Sequence, residues 1–158
     1  MFAIGHGHTR LPAVMRIDGE SRMDIHRFNL EGTGLTRVLG ELEARIMEVV
    51  WAVGSPSGKE ICACLDPGSH YKTVLTVANR LVEKGLLLRE GASVRAYRYR
   101  ATESRESFLT RISATVASGL VGDFGRHALA QLVRAAEEVD PSYLDELERL
   151  VRERKEGN

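Results

Sequence analysis

The sequence contains 158 residues, enough for one small folded domain with an appendage but too few for a large enzyme fold. Hydrophobic residues make up 43% and charged residues 28% of the chain, which is typical of a soluble folded protein and not of a disordered or fibrous one. No apolar run approaches the roughly 18 residues that cross a bilayer, and the N-terminus lacks an apolar stretch of signal-peptide length. We therefore predict a cytoplasmic protein that does not insert into a membrane.

The charges are balanced overall but unevenly distributed. The chain has 22 Lys and Arg residues and 22 acidic residues. Residues 69–105 contain eight basic residues against three acidic ones, whereas residues 106–158 contain seven against ten. Because polyanion binding responds to local potential, the middle of the chain is the candidate surface for a nucleic acid. Chance clustering of charge is the alternative.

Residues 1–34 show no sustained hydrophobic period and contain five glycines and one proline. We therefore predict a flexible N-terminal arm over these residues, with Met23 as an alternative start of the chain. His6 and His8 have no further potential ligands nearby. For that reason we predict solvent-exposed imidazoles and no metal site.

Two helices are predicted next. The first covers about residues 41–53 and begins after Gly40, whose N–H the Glu43 side chain can cap. Its apolar residues fall on one stripe, formed by Leu42, Ile46, Val49, Val50 and Val53. Ser57 and Glu60 are spaced as a capping box, so a second, short helix begins there. The residues expected to face inward from it are Ile61, Cys64 and Leu65.

A third helix is predicted over about residues 70–84, with Gly85 as its C-terminal stop. Its buried face is expected to comprise Val74, Val77, Ala78, Leu81 and Val82. Two β-prone runs follow, LLLRE and RAYRYRA, and the glycine-containing link between them indicates a hairpin. Three helices followed by a hairpin predict a winged helix-turn-helix over residues 35–102, so the fold class is mainly α with a small β-hairpin.

Residues 103–158 are predicted to form a helical dimerisation region. Helical periods occur over residues 103–118, after Asp123 as an N-cap, and after the Asp140-Pro141 pair. Three amphipathic helices in about 50 residues have too little mass to bury their own apolar faces, so we expect a homodimer. The predicted dimer contacts are Phe108, Ile112, Val116, Phe124, Leu132, Leu144, Leu147 and Val151. A monomer whose tail folds back on the winged helix is the alternative.

The outward face of the third helix carries side chains that suit the major groove of DNA, and it follows from the buried face at about 100° per residue. These residues are Tyr71, Lys72, Thr73, Thr76, Asn79 and Arg80, and the acidic Glu83 points outward on the same face. Lys binds phosphate or guanine, Asn binds adenine edges and Thr contacts phosphate or the thymine methyl. Arg95 and Arg98 in the hairpin are expected to flank this helix and reach the backbone or a minor groove. A merely solvated helix face is the alternative, and the Arg-rich hairpin favours double-stranded DNA.

The runs LGELEARIMEVVW, YKTVLTVANRLVEKGLL and VRAYRY resemble the penicillinase and methicillin-resistance repressor family, BlaI/MecI/CopY, over about residues 36–156. The resemblance implies homodimeric winged-helix repressors that bind inverted-repeat operators. It also implies the regulation of β-lactamase, antibiotic-resistance or stress genes. The family positions on the recognition helix are matched by Lys72, Thr73, Thr76 and Arg80. Leu75 stands where some members have Arg, which implies a different operator preference.

Two family features are missing from the tail of this chain. Some members are inactivated when a membrane sensor protease cleaves an Asn-Phe bond there, and this tail has no such pair, so a sensor protease is left open as a partner. The copper-responsive branch ends in paired Cys-x-Cys motifs, which are also absent. Cys62 and Cys64 lie two residues apart, so on a helix they project about 200° apart. We predict structural cysteines without metal or cofactor, with a metal- or redox-responsive regulator as the alternative.

The sequence contains no Gly-rich phosphate loop, no His-Glu-x-x-His and no Gly-x-Ser-x-Gly motif, so we predict no enzymatic activity. The predicted function is a sequence-specific DNA-binding transcriptional repressor. An alternative of another class is a winged-helix module that binds a protein partner without DNA. Retention of DNA at about 0.1 M salt separates these two functions.

Overall fold

The computed structural model describes residues 28–91, Ser93 and residues 96–157. The predictions on His6, His8, Met23 and Arg95 lie outside these residues. The chain divides into two compact units, Met1–Thr102 and Glu103–Asn158. Within the described ranges, no helix is long and apolar enough to cross a membrane.

The first unit has the predicted winged-helix order of elements. A single 3₁₀ turn precedes three helices and a two-stranded antiparallel hairpin. These elements are the turn Gly34–Arg37, α1 (Glu41–Val53), α2 (Gly58–Cys64), α3 (Tyr71–Glu83), β1 (Leu87–Glu90) and β2 (Arg98–Ala101). In the hairpin, Leu87 pairs with Ala101 and Glu90 with Arg98. The mainly α class with a small hairpin is thus confirmed.

The local signals for helix ends act as the sequence predicts. The Gly40 N–H donates to Glu43 Oε2 at 3.0 Å. The Ser57 N–H donates to Glu60 Oε2 at 2.7 Å, and the Glu60 N–H returns to Ser57 Oγ at 3.3 Å. After α3, Gly85 adopts φ 72°, a conformation that glycine takes without the Cβ penalty. Each end is therefore fixed by groups close in sequence.

The core of the first unit is formed by one face of each element, packed around α3. The buried apolar residues contributed by the three helices are Ala44, Ile46, Met47, Val50, Ile61, Leu65, Val74, Val77, Ala78 and Leu81. The turn and the hairpin add Leu35, Leu39, Leu86, Leu87 and Tyr99. Burying a large aliphatic side chain stabilises a fold by about 1.5–3 kcal/mol. This core therefore fixes which side of α3 remains outside.

The buried face of α1 differs from the predicted stripe. Val53 is 51% exposed and Leu42 only half-buried, whereas Met47 and the carboxylate-bearing Glu43 are buried. The reason is Lys84, which follows α3 and places Nζ 2.7 and 3.0 Å from the two Glu43 carboxylate oxygens. A buried carboxylate is tolerated when it is paired and hydrogen-bonded. Glu43 therefore joins the inner face, and the helix is rotated accordingly.

The second unit contains α4 (Arg105–Phe124), α5 (Arg126–Val139) and α6 (Ser142–Glu156). Asp140 Oδ1 accepts the Ser142 N–H at 2.9 Å, so α6 starts at the predicted Asp-Pro pair. The prediction of Asp123 as an N-cap is wrong, because Asp123 lies inside α4, which continues through Gly119 and ends at Gly125 with φ 53°. A glycine inside a helix costs only about 1 kcal/mol relative to Ala, and the chain breaks only where glycine takes a positive φ.

Glu43 makes the stability of the first unit pH-dependent. Burial raises the pKa of its carboxyl, but hydrogen bonds from Lys84 and the Gly40 N–H and the charges of Lys84 and Arg80 outweigh it, leaving the pKa below the ordinary 4.5. The ionised form therefore stabilises the fold above about pH 4.5, and this contribution is lost as the pH falls through the lowered value. Replacing Glu43 with Gln should cost about 1–2 kcal/mol at pH 7 and progressively less below pH 4.

Urea unfolding followed by the fluorescence of Trp51, the single tryptophan, measures this difference. Glu41→Gln is the matched control, since Glu41 is exposed in the same first turn of α1. An equal loss in both variants, or a gap that does not narrow in acid, would contradict the role of the buried pair.

Candidate nucleic-acid interface

The outward side of α3 is polar and exposed. Lys72, Thr73, Thr76 and Arg80 are all exposed, opposite the buried side that the core fixes. The Thr76 hydroxyl donates to the Lys72 carbonyl at 2.9 Å, which satisfies its proton and leaves its oxygen lone pairs able to accept. Neither Lys72 nor Arg80 forms a hydrogen bond or ion pair with another described residue. This side of the helix thus offers two hydroxyl groups and two cations that form no ion pair, although the charge of Arg80 acts on the Glu43 carboxyl.

The beginning of α3 suits an anion. His70 precedes the helix in an extended conformation, its side chain accepts no hydrogen bond from the first turn, and that turn contains no acidic residue. The first N–H groups of a helix lack partners within it, and the helix dipole is positive at that end. Phosphate groups are therefore favoured there.

Tyr71 is shared between the surface and the packing of α3 against α2. Its side chain is 37% exposed. A Cβ built on Gly58 would lie 2.5 Å from Leu75 Cδ2 and 3.5 Å from the Tyr71 ring. Leu75 and Tyr71 therefore cover the start of α2, and a side chain at position 58 would displace the end of the Leu75 side chain. Leu75 is turned to this helix crossing.

Asn79 does not present a free amide oxygen to a ligand, unlike the sequence prediction. It is half-buried, and its Oδ1 accepts from Arg89 Nη1 at 2.9 Å and from Tyr99 Oη at 3.4 Å. A bidentate contact with adenine needs this oxygen as an acceptor, and both of its lone pairs are already occupied. Asn79 thus joins α3 to the hairpin.

Tyr99 anchors the hairpin on the helices. Its side chain is fully buried, and its N–H donates to the Pro56 carbonyl at 2.9 Å. Burial raises the pKa of its phenol; the positive charge of Arg89 opposes that shift, while Tyr71 and Tyr97 reinforce it. These groups therefore lie close together at the junction of α3 and the hairpin.

Arg98 forms its described contacts at the start of α2, and its predicted reach to DNA stays a prediction. Its Nη1 donates to the Ser55 carbonyl and lies 3.5 Å from Glu60 Oε2. Glu60 has a lowered pKa, chiefly because of hydrogen bonds within the Ser57 cap and further because of the Arg98 charge. Arg98 therefore ties β2 to the start of α2. Its predicted partner in the hairpin, Arg95, lies outside the described residues.

Arg89 is the residue that the sequence prediction missed. It lies on β1 opposite Tyr99, is exposed, and its guanidinium carbon lies 4.3 Å from the centroid of the Tyr97 ring. Only the hairpin register could have identified Arg89 as a site residue. Pairing Leu87 with Ala101 places Arg89 opposite Tyr99, which is buried.

The two cysteines differ in environment. Cys62 is half-buried, and its thiol donates to the Ser69 carbonyl at 3.3 Å, whereas Cys64 is exposed. The inward orientation predicted for Cys64 is therefore wrong, since only Ile61 and Leu65 of that turn reach the core. In the described part of the chain, no three His, Cys, Asp or Glu side chains are grouped closely enough to hold a metal ion.

The predicted dimer contacts fall into three groups by exposure. Phe108 and Ile112 are already buried in the single chain. The half-buried residues are Val116, Leu144 and Leu147. The exposed ones are Phe124, Leu132 and Val151.

Comparison with known families gives one match that covers most of the chain. Residues 39–153 match the family model described as penicillinase repressor. No curated protein matches the chain at a significant level.

The contacts of Arg98 predict that it stabilises the first unit. Arg98→Ala removes the hydrogen bond to the Ser55 carbonyl and should lower the free energy of unfolding by about 0.5–1.5 kcal/mol. Arg100→Ala is the matched control on the same strand, because Arg100 forms an exposed pair with Glu90 at 3.0 Å, and such pairs contribute little. Urea titration with Trp51 emission gives both values, and equal stability of the two variants would refute the bracing role.

Proposed function

The chain belongs to the penicillinase repressor family, and from this premise we propose that it represses transcription as a homodimer that binds an inverted-repeat operator in double-stranded DNA. The family is one of transcriptional regulators and not of enzymes. The observation that carries the proposal for DNA is the outward side of α3, where Lys72 and Arg80 are exposed and form no ion pair with a described carboxylate. As a DNA-binding regulator, it would act in the cytoplasm.

The geometry of α3 supports entry into the major groove. A helix with its side chains is about 10–12 Å across, and the major groove of B-DNA is about 12 Å wide. The residues that would reach base edges or phosphates are Lys72, Thr73, Thr76 and Arg80. The uncapped beginning of the helix at His70 favours a phosphate close to these side chains.

The second unit supports assembly of two copies. Many of its large apolar side chains remain uncovered in the single chain: Leu120, Val121, Phe124, Leu129, Leu132, Val133, Val139, Tyr143, Leu150 and Val151. Large exposed apolar patches are rare on monomeric proteins and mark interfaces, so this set of uncovered side chains supports an interface in the second unit. A second copy that buries the same patch forms a closed, two-fold dimer. Two-fold symmetry then places two winged helices on two half-sites, which favours an inverted repeat.

Substitution of the unpaired cations of α3 tests the DNA-binding surface. A binding sequence is first selected from a random duplex pool, and affinity is then measured by fluorescence anisotropy. Lys72→Ala and Arg80→Ala should each weaken binding by about 1–3 kcal/mol if the side chain makes a base contact. Lys155→Ala, which removes a cation from the end of α6, is the control and should leave affinity unchanged.

Unchanged affinity in both α3 variants would reject this surface. Failure of the unmodified protein to retain any duplex at about 0.1 M salt would reject DNA binding altogether. That result would favour the protein-interaction module instead.

Substitution on α5 tests the dimer. Leu132 is 41% exposed, and burying a charge at an apolar interface is strongly unfavourable. Leu132→Glu should therefore weaken self-association by at least about a hundredfold, as measured by sedimentation equilibrium at micromolar concentration. Gln131→Glu introduces the same charge at the exposed neighbouring position and should leave the dimer intact. A monomeric unmodified protein at this concentration would contradict the proposal.

A further inference from the structure

We propose that Arg89 is a preformed phosphate-binding side chain, which Asn79 and Tyr97 hold at the junction of α3 and the hairpin to contact the backbone of duplex DNA. The inference rests on the proposed DNA binding and adds a contact outside α3. It also changes the role of Asn79 from reading a base to positioning an arginine.

The guanidinium of Arg89 is fixed by two independent contacts. Its Nη1 donates to Asn79 Oδ1 at 2.9 Å, and its central carbon lies 4.3 Å from the centroid of the Tyr97 ring. Arg89 pairs with Tyr99 across the hairpin. Directly paired residues of antiparallel strands lie on one face, so Arg89 shares the face of Tyr99, and the Tyr97 ring just before β2 stacks on the Arg89 guanidinium. The conformational freedom of a long side chain is thus already reduced before a ligand arrives.

Arg89 keeps unused capacity to bind an anion. A guanidinium has five N–H donors, and Asn79 takes one of them. The other two described arginines of the hairpin face carboxylates, since Arg98 lies near Glu60 and Arg100 near Glu90. No carboxylate among the described residues pairs with Arg89. Its planar fork suits the paired oxygens of a phosphodiester.

The position of Arg89 relative to α3 favours the backbone of the DNA over its bases. Lys72, Thr76 and Asn79 succeed one another at intervals of four and three residues, so they lie on one side of the helix. The contact between Asn79 and Arg89 places the guanidinium beside the last residue of this row. When α3 occupies a groove, a side chain that extends from the adjacent strand stands at the rim of the groove, where the phosphates lie.

The salt dependence of binding distinguishes a phosphate contact from other roles. Each neutralised phosphate contributes about 0.9 to the slope of log affinity against log salt concentration. Arg89→Ala should lower this slope by about 0.9 and reduce affinity about tenfold at low salt. Because phosphates carry no sequence information, the loss should be equal on the selected duplex and on a scrambled duplex of the same length. Arg100→Ala is the matched control and should leave the slope unchanged.

The thermal midpoint of Trp51 emission shows whether Arg89→Ala disturbs folding. If it does, two further variants keep the proposal testable. Arg89→Gln removes the charge but keeps a polar stem, and it should give the same loss of slope. Arg89→Lys keeps the charge and should keep the slope, but with about threefold lower affinity because a lysine cannot reproduce both the fork and the stacking. An unchanged slope in Arg89→Gln overturns the proposal.

The role of Asn79 is tested in the unmodified protein and in the Arg89→Ala protein. If Asn79 acts through Arg89, Asn79→Ala weakens binding uniformly in the unmodified protein and has no further effect in the Arg89→Ala protein. A loss of preference at one adenine position in both backgrounds would instead show that Asn79 reads a base, and it would overturn the positioning role. If the unmodified protein binds no duplex at all, the proposed function fails and not merely this contact.

Discussion

The burial of Tyr99 is the constraint on which the arrangement of the first unit depends. Its ring is fully enclosed, and its N–H bonds to the Pro56 carbonyl just before α2. Because side chains alternate along a strand, placing Tyr99 inside also decides the faces of its neighbours. Tyr97 falls on the face that meets α3, whereas Arg98 falls on the other and reaches the start of α2. One buried aromatic residue therefore decides which arginines are used within the fold and which remain at its surface.

Features that depend on neighbours in sequence were predictable, and features that depend on distant partners were not. The caps at Gly40 and Ser57 join residues three positions apart, so their spacing identifies them. The burial of Glu43 depends on Lys84, which is 41 residues away, and a helical period read from apolar residues alone assigns that carboxylate to the surface. The end of α4 was also not predictable from the sequence. Several glycines occur there, and the helix ends only at Gly125, whose backbone takes a positive φ.

The candidate interface was predictable in part for the same physical reason. The outward side of α3 follows from its apolar residues, so Lys72 and Thr76 were found from the helical period alone. Asn79 lies on that same side, but the groups that occupy its amide oxygen come from the hairpin. Distinguishing Arg89 from Arg98 requires the strand register, and the register depends on which tyrosine is buried. The amino-acid sequence shows that the hairpin contains several arginines, but it does not show which groups each arginine contacts.

Ion pairs within the first unit leave few of its cations free, in a chain whose net charge is zero. Glu60 forms an ion pair with Arg98, Glu90 with Arg100 and Glu43 with Lys84. In the described part of residues 69–102, the cations that form no ion pair are Lys72, Arg80 and Arg89. A set this small offers few phosphate contacts, so one copy would bind DNA weakly and with a shallow dependence on salt. In the proposed dimer, joining two copies through the apolar side chains of the second unit would double these contacts and make the second engagement intramolecular. Under the proposed function, the narrow cationic surface and the uncovered apolar side chains of the second unit act together, because affinity for DNA would depend on assembly of the two copies.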